Sequence, residues 1–190
     1  MPLFHAARKL AHTTGDQTLV AMVLANLGEA YHRSGHFEDA LQYHQEAEAL
    51  ARDLRHARIL ACTLSNHAQT LLERSEFSEA TKRCSEALEL ARGAEHRGIQ
   101  ALALIVRAEI EIRRLETAGN VDPDAAPGAK DDLVRAEELF EDMGNLLDLP
   151  RVLESRARLC ELTNLKDEAA AHRARAEELR QSQFDSAASR

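Results

Sequence analysis

Histidine, cysteine and carboxylate side chains are the residues of this 190-residue chain that could carry metal or catalytic chemistry. His32 and His36 are four positions apart, but Ser34-Gly35 interrupts the helix between them. Neither histidine has a cysteine or a carboxylate at the spacing of a zinc site. The three cysteines are an odd set without CxxC spacing, namely Cys62, Cys84 and Cys160. We therefore expect no metal, no cofactor and reduced thiols, as is typical of a cytoplasmic protein.

Motifs of known enzyme classes are missing from the sequence as well. Glu137 and Glu138 are adjacent on a helix, so they diverge and cannot act on one bond. There is no GxSxG, no HExxH and no phosphate-cradling glycine loop. We predict that the chain is not an enzyme. The formal net charge of −8 disfavours binding to a phosphate backbone, and no apolar run is long enough for a secretion signal or a membrane span.

Regularly spaced alanines indicate repeated structural units, which position the side chains named above. Alanines recur at intervals of 40, 40, 49 and 40 residues, at Ala7, Ala47, Ala87, Ala136 and Ala176. The nine extra residues lie between Glu116 and Ala129, where Asp122-Pro123 and Pro127-Gly128 block helix formation. This pattern predicts internal repeats of 40 residues, one of which has a lengthened loop over 116–128.

Within one repeat the apolar residues follow a helical period. Leu24, Leu27 and Tyr31 share one helix face, and Gly35 is suited to end that helix in the left-handed conformation. The small residues Gly28, Ala40 and Ala47 would let two helix backbones approach closely. The pattern predicts helical hairpins over 17–54, 57–93, 97–143 and 147–181, a half repeat over 3–13 and a disordered tail over 182–190.

The repeated residues resemble the tetratricopeptide repeat family. The matching residues are Leu24, Leu27, Gly28, Tyr31, Gly35, Phe37, Ala40 and Ala47 in one copy and Leu64, Ala68, Leu71, Phe77, Ala80 and Ala87 in the next. The family period is about 34 residues, and its tryptophan and repeat-closing proline are missing here. The longer unit is similar to the arrays of kinesin light chains and to the C-terminal arrays of actinobacterial transcription regulators and signalling ATPases. The resemblance implies an all-α, right-handed superhelical solenoid of antiparallel helix hairpins, with about nine helices in a single array over 1–181.

The resemblance also implies a groove lined by the first helix of each repeat. In the family, the residue two positions before the small residue of that helix points into the groove, and here those positions hold Asn26, Asn66, Val106 and Ser155. An asparagine amide both donates and accepts, so Asn26 and Asn66 could hold the backbone of an extended peptide. The alternative is that asparagine is merely tolerated on an exposed face. Residues of mixed charge would line the rim of the groove or form a solvated face: Glu29, Arg33, Gln69, Glu73, Glu109 and Arg113.

Three functions are compatible with these observations. The leading hypothesis is a protein–protein interaction module that binds a protein or peptide in its groove, as the sensor or regulatory part of a bacterial signal-transduction or transcription regulator. The half repeat over 3–13 suggests an alternative, a free-standing structural adaptor that forms a homo-oligomer through its open ends. A third possibility is a receptor for a small molecule or a pheromone peptide.

Overall fold

The computed structural model describes residues 13, 15–119 and 126–188. All the regular secondary structure in these ranges is α-helical, as the sequence predicts. There are eight helices here rather than about nine, and the predicted half repeat over 3–13 lies outside the described residues except for Thr13. The helices are α1 Gln17–Arg33, α2 Phe37–Asp53, α3 Ala57–Glu73, α4 Phe77–Gly93, α5 Arg97–Ala118, α6 Pro127–Asp142, α7 Leu149–Leu162 and α8 Lys166–Ala188.

Three-residue turns end the first four helices and explain the long repeat. In the first turn, the amide of Gly35 donates to the carbonyl of His32 at 2.9 Å, and the amide of His36 donates to that of Tyr31 at 3.0 Å. This is the hydrogen-bond pattern of a Schellman motif, which needs a left-handed residue. The positive φ angles are 77° at Gly35, 52° at Arg55, 61° at Ser75 and 51° at Glu95. Each helix has 17 residues, so two helices with their turns give the 40-residue period.

The first helices of successive repeats begin with a side chain that caps the backbone. Asp16 accepts a hydrogen bond from the amide of Leu19 at 3.0 Å. His56 and His96 use Nδ1 to accept from the amides three residues on, at 3.4 and 3.3 Å. Such caps satisfy amides that have no partner inside the helix. These two histidines therefore stabilise the starts of α3 and α5.

The chain forms two compact units, and the boundary between them falls inside α5, between Ala103 and Leu104. In unit 1, which precedes this boundary, α1 packs on α2, α2 on α3 and α3 on α4, and the first helices α1 and α3 also touch. Ala40 and Ala47 are fully buried, so two helix backbones approach closely, as predicted. That the repeats form one array over 1–181 stays a prediction.

The core of unit 1 contains a buried imidazole. His44 is 0% exposed, neither of its ring nitrogens has a hydrogen-bond partner, and its ring stacks on that of His67 with 5.8 Å between centroids. Gly28 makes room for it, because a Cβ at that position would lie 2.4 Å from Nδ1 of His44. Burial, followed by the charges of His67 and His32, lowers the pKa of His44 to about 3. The ring is therefore neutral at neutral pH.

In unit 2, α6 packs on α7 and α7 on α8 around Leu133, Phe140 and Leu153. The helix α8 runs to Ala188, because the segment from Lys166 onward contains no glycine or proline. The prediction of a disordered tail from residue 182 therefore differs from the structure, in which helix continues over most of that segment.

A candidate binding groove on the first helices of unit 1

A cavity of about 270 Å³ lies on the first helices of unit 1, and we call it the groove cavity. It is formed by α1, α3 and the start of α5, so three successive repeats contribute to it. Its lining residues are Met22, Ala25, Asn26, Arg58, Ile59, Cys62, His96 and Ile99.

The floor of the groove cavity is apolar. Ile59 and Ile99 are 6% and 5% exposed, while Met22 at the edge is 41% exposed. A cavity of about 150 Å³ is enough to hold a benzene molecule. The groove cavity can therefore accommodate one large apolar side chain, with Met22 able to close over it.

Three hydrogen-bond donors surround this floor. Asn26 and Arg58 are exposed, and within the part of the chain that the structure describes Arg58 forms no ion pair. Because Nδ1 of His96 accepts the capping hydrogen bond, Nε2 of the neutral ring carries the proton and can donate. This arrangement suits a partner that presents carbonyl or carboxylate oxygens beside an apolar side chain.

The thiol of Cys62 belongs to the apolar lining. Burial raises its pKa, and the nearby charge of Glu29 acts in the same direction, against a smaller effect of Arg58. A thiol with a raised pKa stays protonated at neutral pH and is a poor nucleophile. Cys62 therefore contributes a contact surface rather than covalent chemistry.

The other predicted groove residues of unit 1 do not line the groove cavity. Asn66 is half-buried on α3, eight residues beyond Arg58. Glu29 forms an ion pair with Arg33 at 3.1 Å, and the Arg33 side chain is 78% exposed. Gln69 is half-buried and Glu73 is exposed.

The corresponding positions in unit 2 are occupied by internal contacts. Glu109 accepts hydrogen bonds from Arg151 at 3.2 and 2.7 Å and from the hydroxyl of Ser155 at 3.1 Å. Its side chain is only 14% exposed. Arg113 pairs with Glu116 at 3.4 Å, and Val106 is 1% exposed. The asparagine positions of unit 1 thus have buried counterparts in unit 2, and Glu109, predicted at the rim of a groove, is held between α5 and α7.

Sequence reasoning missed Arg58, His96 and Met22, although a signal for two of them was present. Met22 precedes Asn26 by four residues, and Arg58 precedes Asn66 by eight, steps that keep a residue on the same helix face. His96 lies outside the helical pattern, because it is the capping residue before α5.

Two features, a metal cluster and a membrane-spanning helix, are absent from the described ranges. No cluster of three or more histidine, cysteine, aspartate or glutamate side chains in them could hold a metal ion. None of the helices in them has the length and apolarity needed to cross a membrane. The groove cavity itself has an apolar floor and polar edges.

Comparisons with known proteins concern the sequence of the first repeat and the fold. The family model described as tetratricopeptide repeat matches residues 2–53. A crystal structure of BtubC (BKLC) from P. vanneervenii has a similar fold, with a TM-score of 0.66 and 18% identity. The match covers 89% of this chain and 66% of the BtubC chain. This chain therefore spans just under two thirds of the length of the BtubC chain. No curated protein matches the sequence. The similarity to actinobacterial regulators stays a prediction.

Proposed function

We propose that unit 1 binds a protein or peptide segment along its first helices, since residues 2–53 match the tetratricopeptide repeat model and the described chain consists of helical hairpins. Repeats of this family generally mediate protein–protein interactions, and such folds are typically non-catalytic. The observation that carries the proposal is the groove cavity, where three successive repeats place donors around an apolar floor.

The bound segment places one large apolar side chain over Ile59 and Ile99 and directs backbone or carboxylate oxygens to Asn26 and Arg58. Burying such a side chain contributes about 1.5–3 kcal/mol. Each hydrogen bond adds about 0.5–1.5 kcal/mol. These sums are small beside the cost of association, so the segment must also contact the first helices beyond the cavity, where Asn66 lies.

The module serves as the sensor or regulatory part of a larger bacterial signal-transduction or transcription regulator in the cytoplasm. This role is proposed from the resemblance of the repeats to regulator arrays, which is itself a prediction from the sequence. The three free cysteines also support it, because they suit a reducing compartment. The coding sequence around this segment tests the role: an adjoining ATPase or DNA-binding domain is expected, and a free-standing gene without such a neighbour would contradict it.

A peptide array followed by fluorescence anisotropy tests the groove. Peptides that bind the full chain are titrated against Asn26→Ala and Arg58→Gln, each of which should weaken binding about tenfold, or about 1.4 kcal/mol. The matched control is Gln42→Ala, which removes an exposed amide of α2 that bonds to Glu46 at 3.1 Å. Equal affinity of the wild type and both groove variants, or the absence of any binding peptide, would remove the proposal.

A further inference from the structure

A second cavity, of about 470 Å³, lies within unit 2 between α6, α7 and α8. We call it the α6–α8 cavity. It is separate from the groove cavity and shares no residue with it. Its lining includes Ala126, Lys130, Leu133, Leu159 and Glu168.

The α6–α8 cavity lies beside a repeat position at which two other repeats have an aromatic residue. Phe37 stands ten residues before the buried Ala47, and Phe77 stands ten residues before Ala87. Ten residues before the equivalent Ala136 the chain has Ala126, whose methyl group lines the cavity. Two repeats thus supply a ring from their own sequence, and the third leaves space for one.

The inner wall of this cavity is apolar. Leu133 is 0% exposed, Leu159 is 7% exposed and Ala126 is 8% exposed. Its volume is about three times that of the roughly 150 Å³ cavity that binds benzene. It therefore has room for an aromatic side chain together with a polar group of similar size.

One positive and one negative side chain are available at its edge. Lys130 on α6 and Glu168 on α8 are both exposed, and neither forms an ion pair within the described ranges. Arg156 also lines the cavity, but Glu137 already binds it. His172 adds no charge at neutral pH, because burial, followed by the charge of Arg156, lowers its pKa.

We propose that the α6–α8 cavity binds a free α-amino acid with an aromatic side chain. The ring lies against Leu133 and Leu159, beside the Ala126 position that holds Phe37 and Phe77 in two other repeats. The carboxylate of the ligand meets Lys130, and its ammonium group meets Glu168. A zwitterion with an apolar body matches both charges at the edge and the apolar inner wall, whereas a simple fatty acid or amine would leave one charge unmatched.

Isothermal titration calorimetry of the full chain with L-phenylalanine tests the ligand class. We expect saturable binding of L-phenylalanine. Binding of L-phenylalaninamide, which lacks the carboxylate, and of 3-phenylpropionate, which lacks the ammonium group, should be at least tenfold weaker. No binding of L-phenylalanine at millimolar concentration, or equal binding of either analogue, would overturn the proposal.

Substitutions in unit 2 test the location. Ala126→Phe restores the residue type of the other repeats, so the variant should fold by circular dichroism and lose L-phenylalanine binding. Lys130→Gln and Glu168→Gln should each weaken binding at least tenfold, which keeps the test decisive if Ala126→Phe does not fold. Lys166→Gln, an exposed lysine outside this cavity, should bind like the wild type.

Arg58→Gln separates this site from the groove of unit 1. It should leave L-phenylalanine binding unchanged while weakening peptide binding. Wild-type affinity for L-phenylalanine in folded Ala126→Phe, or in both charge variants, would show that the ligand binds elsewhere and would contradict the proposal.

Discussion

Units 1 and 2 use the same kind of helix hairpin but leave open space on different elements. In unit 1 the open space lies on the first helices, beside Asn26 and Arg58. In unit 2 the equivalent first-helix positions are tied together by Glu109 and Arg151, and the space lies next to Ala126, between α6, α7 and α8. The comparison teaches that single residues at repeat positions, rather than the helical frame, decide where a ligand can bind.

The two units differ at one buried position, because unit 1 has His44 where unit 2 has Leu133, whereas arginine binds buried carboxylates in both units. His44 in unit 1 is buried with neither ring nitrogen hydrogen-bonded, a situation that costs about 1–3 kcal/mol. In unit 2, the buried carboxylates are each bound by arginine: Asp132 by Arg107 at 2.5 and 2.6 Å, and Glu137 by Arg175 at 2.5 Å. Stability changes on substitution should therefore differ between equivalent positions.

The largest expected effect is that of Gly28→Ala in unit 1. The added Cβ would lie 2.4 Å from the His44 ring, so we expect a loss of about 3 kcal/mol in the free energy of unfolding. The double variant Gly28→Ala/His44→Leu installs the residue types that unit 2 has at Ala108 and Leu133, and it should recover at least wild-type stability. Urea denaturation followed by circular dichroism measures the unfolding free energy of the single and the double variant. If the double variant is no more stable than Gly28→Ala, the added Cβ does not clash with His44.

Glu29 and Glu109 occupy the same repeat position, 80 residues apart, but their replacement should lower the free energy of unfolding by unequal amounts. Glu109→Gln removes a charged partner of Arg151 at a partly buried site, so we expect a loss of about 2 kcal/mol. Glu29→Gln removes a partner of the largely exposed Arg33 and should change stability by less than about 0.5 kcal/mol. Denaturant titrations measure both losses of unfolding free energy. Equal losses in the two variants would mean that the first-helix face of unit 2 is as open as that of unit 1.

Acid should destabilise the wild type more than His44→Leu. The pKa of His44 is about 3 in the folded state and about 6.5 in the unfolded chain. Below pH 6.5 the unfolded state binds a proton that the folded state rejects, so stability falls with pH down to about 3, by about 1.4 kcal/mol per unit.

Urea titrations at pH 7.5 and 5.5 provide the measurement for this pH effect. The wild type should lose about 1 kcal/mol more than His44→Leu between these pH values. His172, whose pKa is also lowered, is present in both proteins and cancels in the difference. Parallel losses would mean that His44 can be protonated without cost in the folded state.

The smallest effect concerns the turns, which are alike in both units. Arg55 in unit 1 and Asn164 in unit 2 have positive φ angles of 52° and 62°. A left-handed conformation costs about 1–2 kcal/mol for most residues, and glycine loses about 0.5–1 kcal/mol through its flexibility. Arg55→Gly should therefore stabilise the chain by about 0.5 kcal/mol and Asn164→Gly by less, because asparagine tolerates this conformation. A loss of stability in thermal melts of Arg55→Gly would contradict this reasoning.

Much of the fold was predictable because local rules act within a few residues of each other. The spacing of Ala47, Ala87 and Ala136 indicated the hairpins, and Gly35 indicated the end of a helix. Disorder was predicted over 182–190 because chain ends are often poorly ordered, whereas the helix extends to Ala188, since no glycine or proline there blocks it.

The candidate site was only partly predictable. Asn26 does line a cavity in the structure, because the helical register of the repeat fixes its face. The contacts of Glu109 depend on Arg151, 42 residues away, and nothing in the local sequence of α5 reveals that partner. The space beside Ala126 likewise depends on how three helices pack, although the loss of an aromatic residue from that repeat was visible.

Heteronuclear NMR of the labelled chain with a peptide selected on the array tests the central claim most directly. The account predicts that amide shifts change around Met22, Asn26, Arg58 and Ile99 and stay constant around Glu109 and Arg151. Shift changes centred on α5 and α7 near Glu109, with none around Asn26, would contradict the assignment of the binding groove to unit 1.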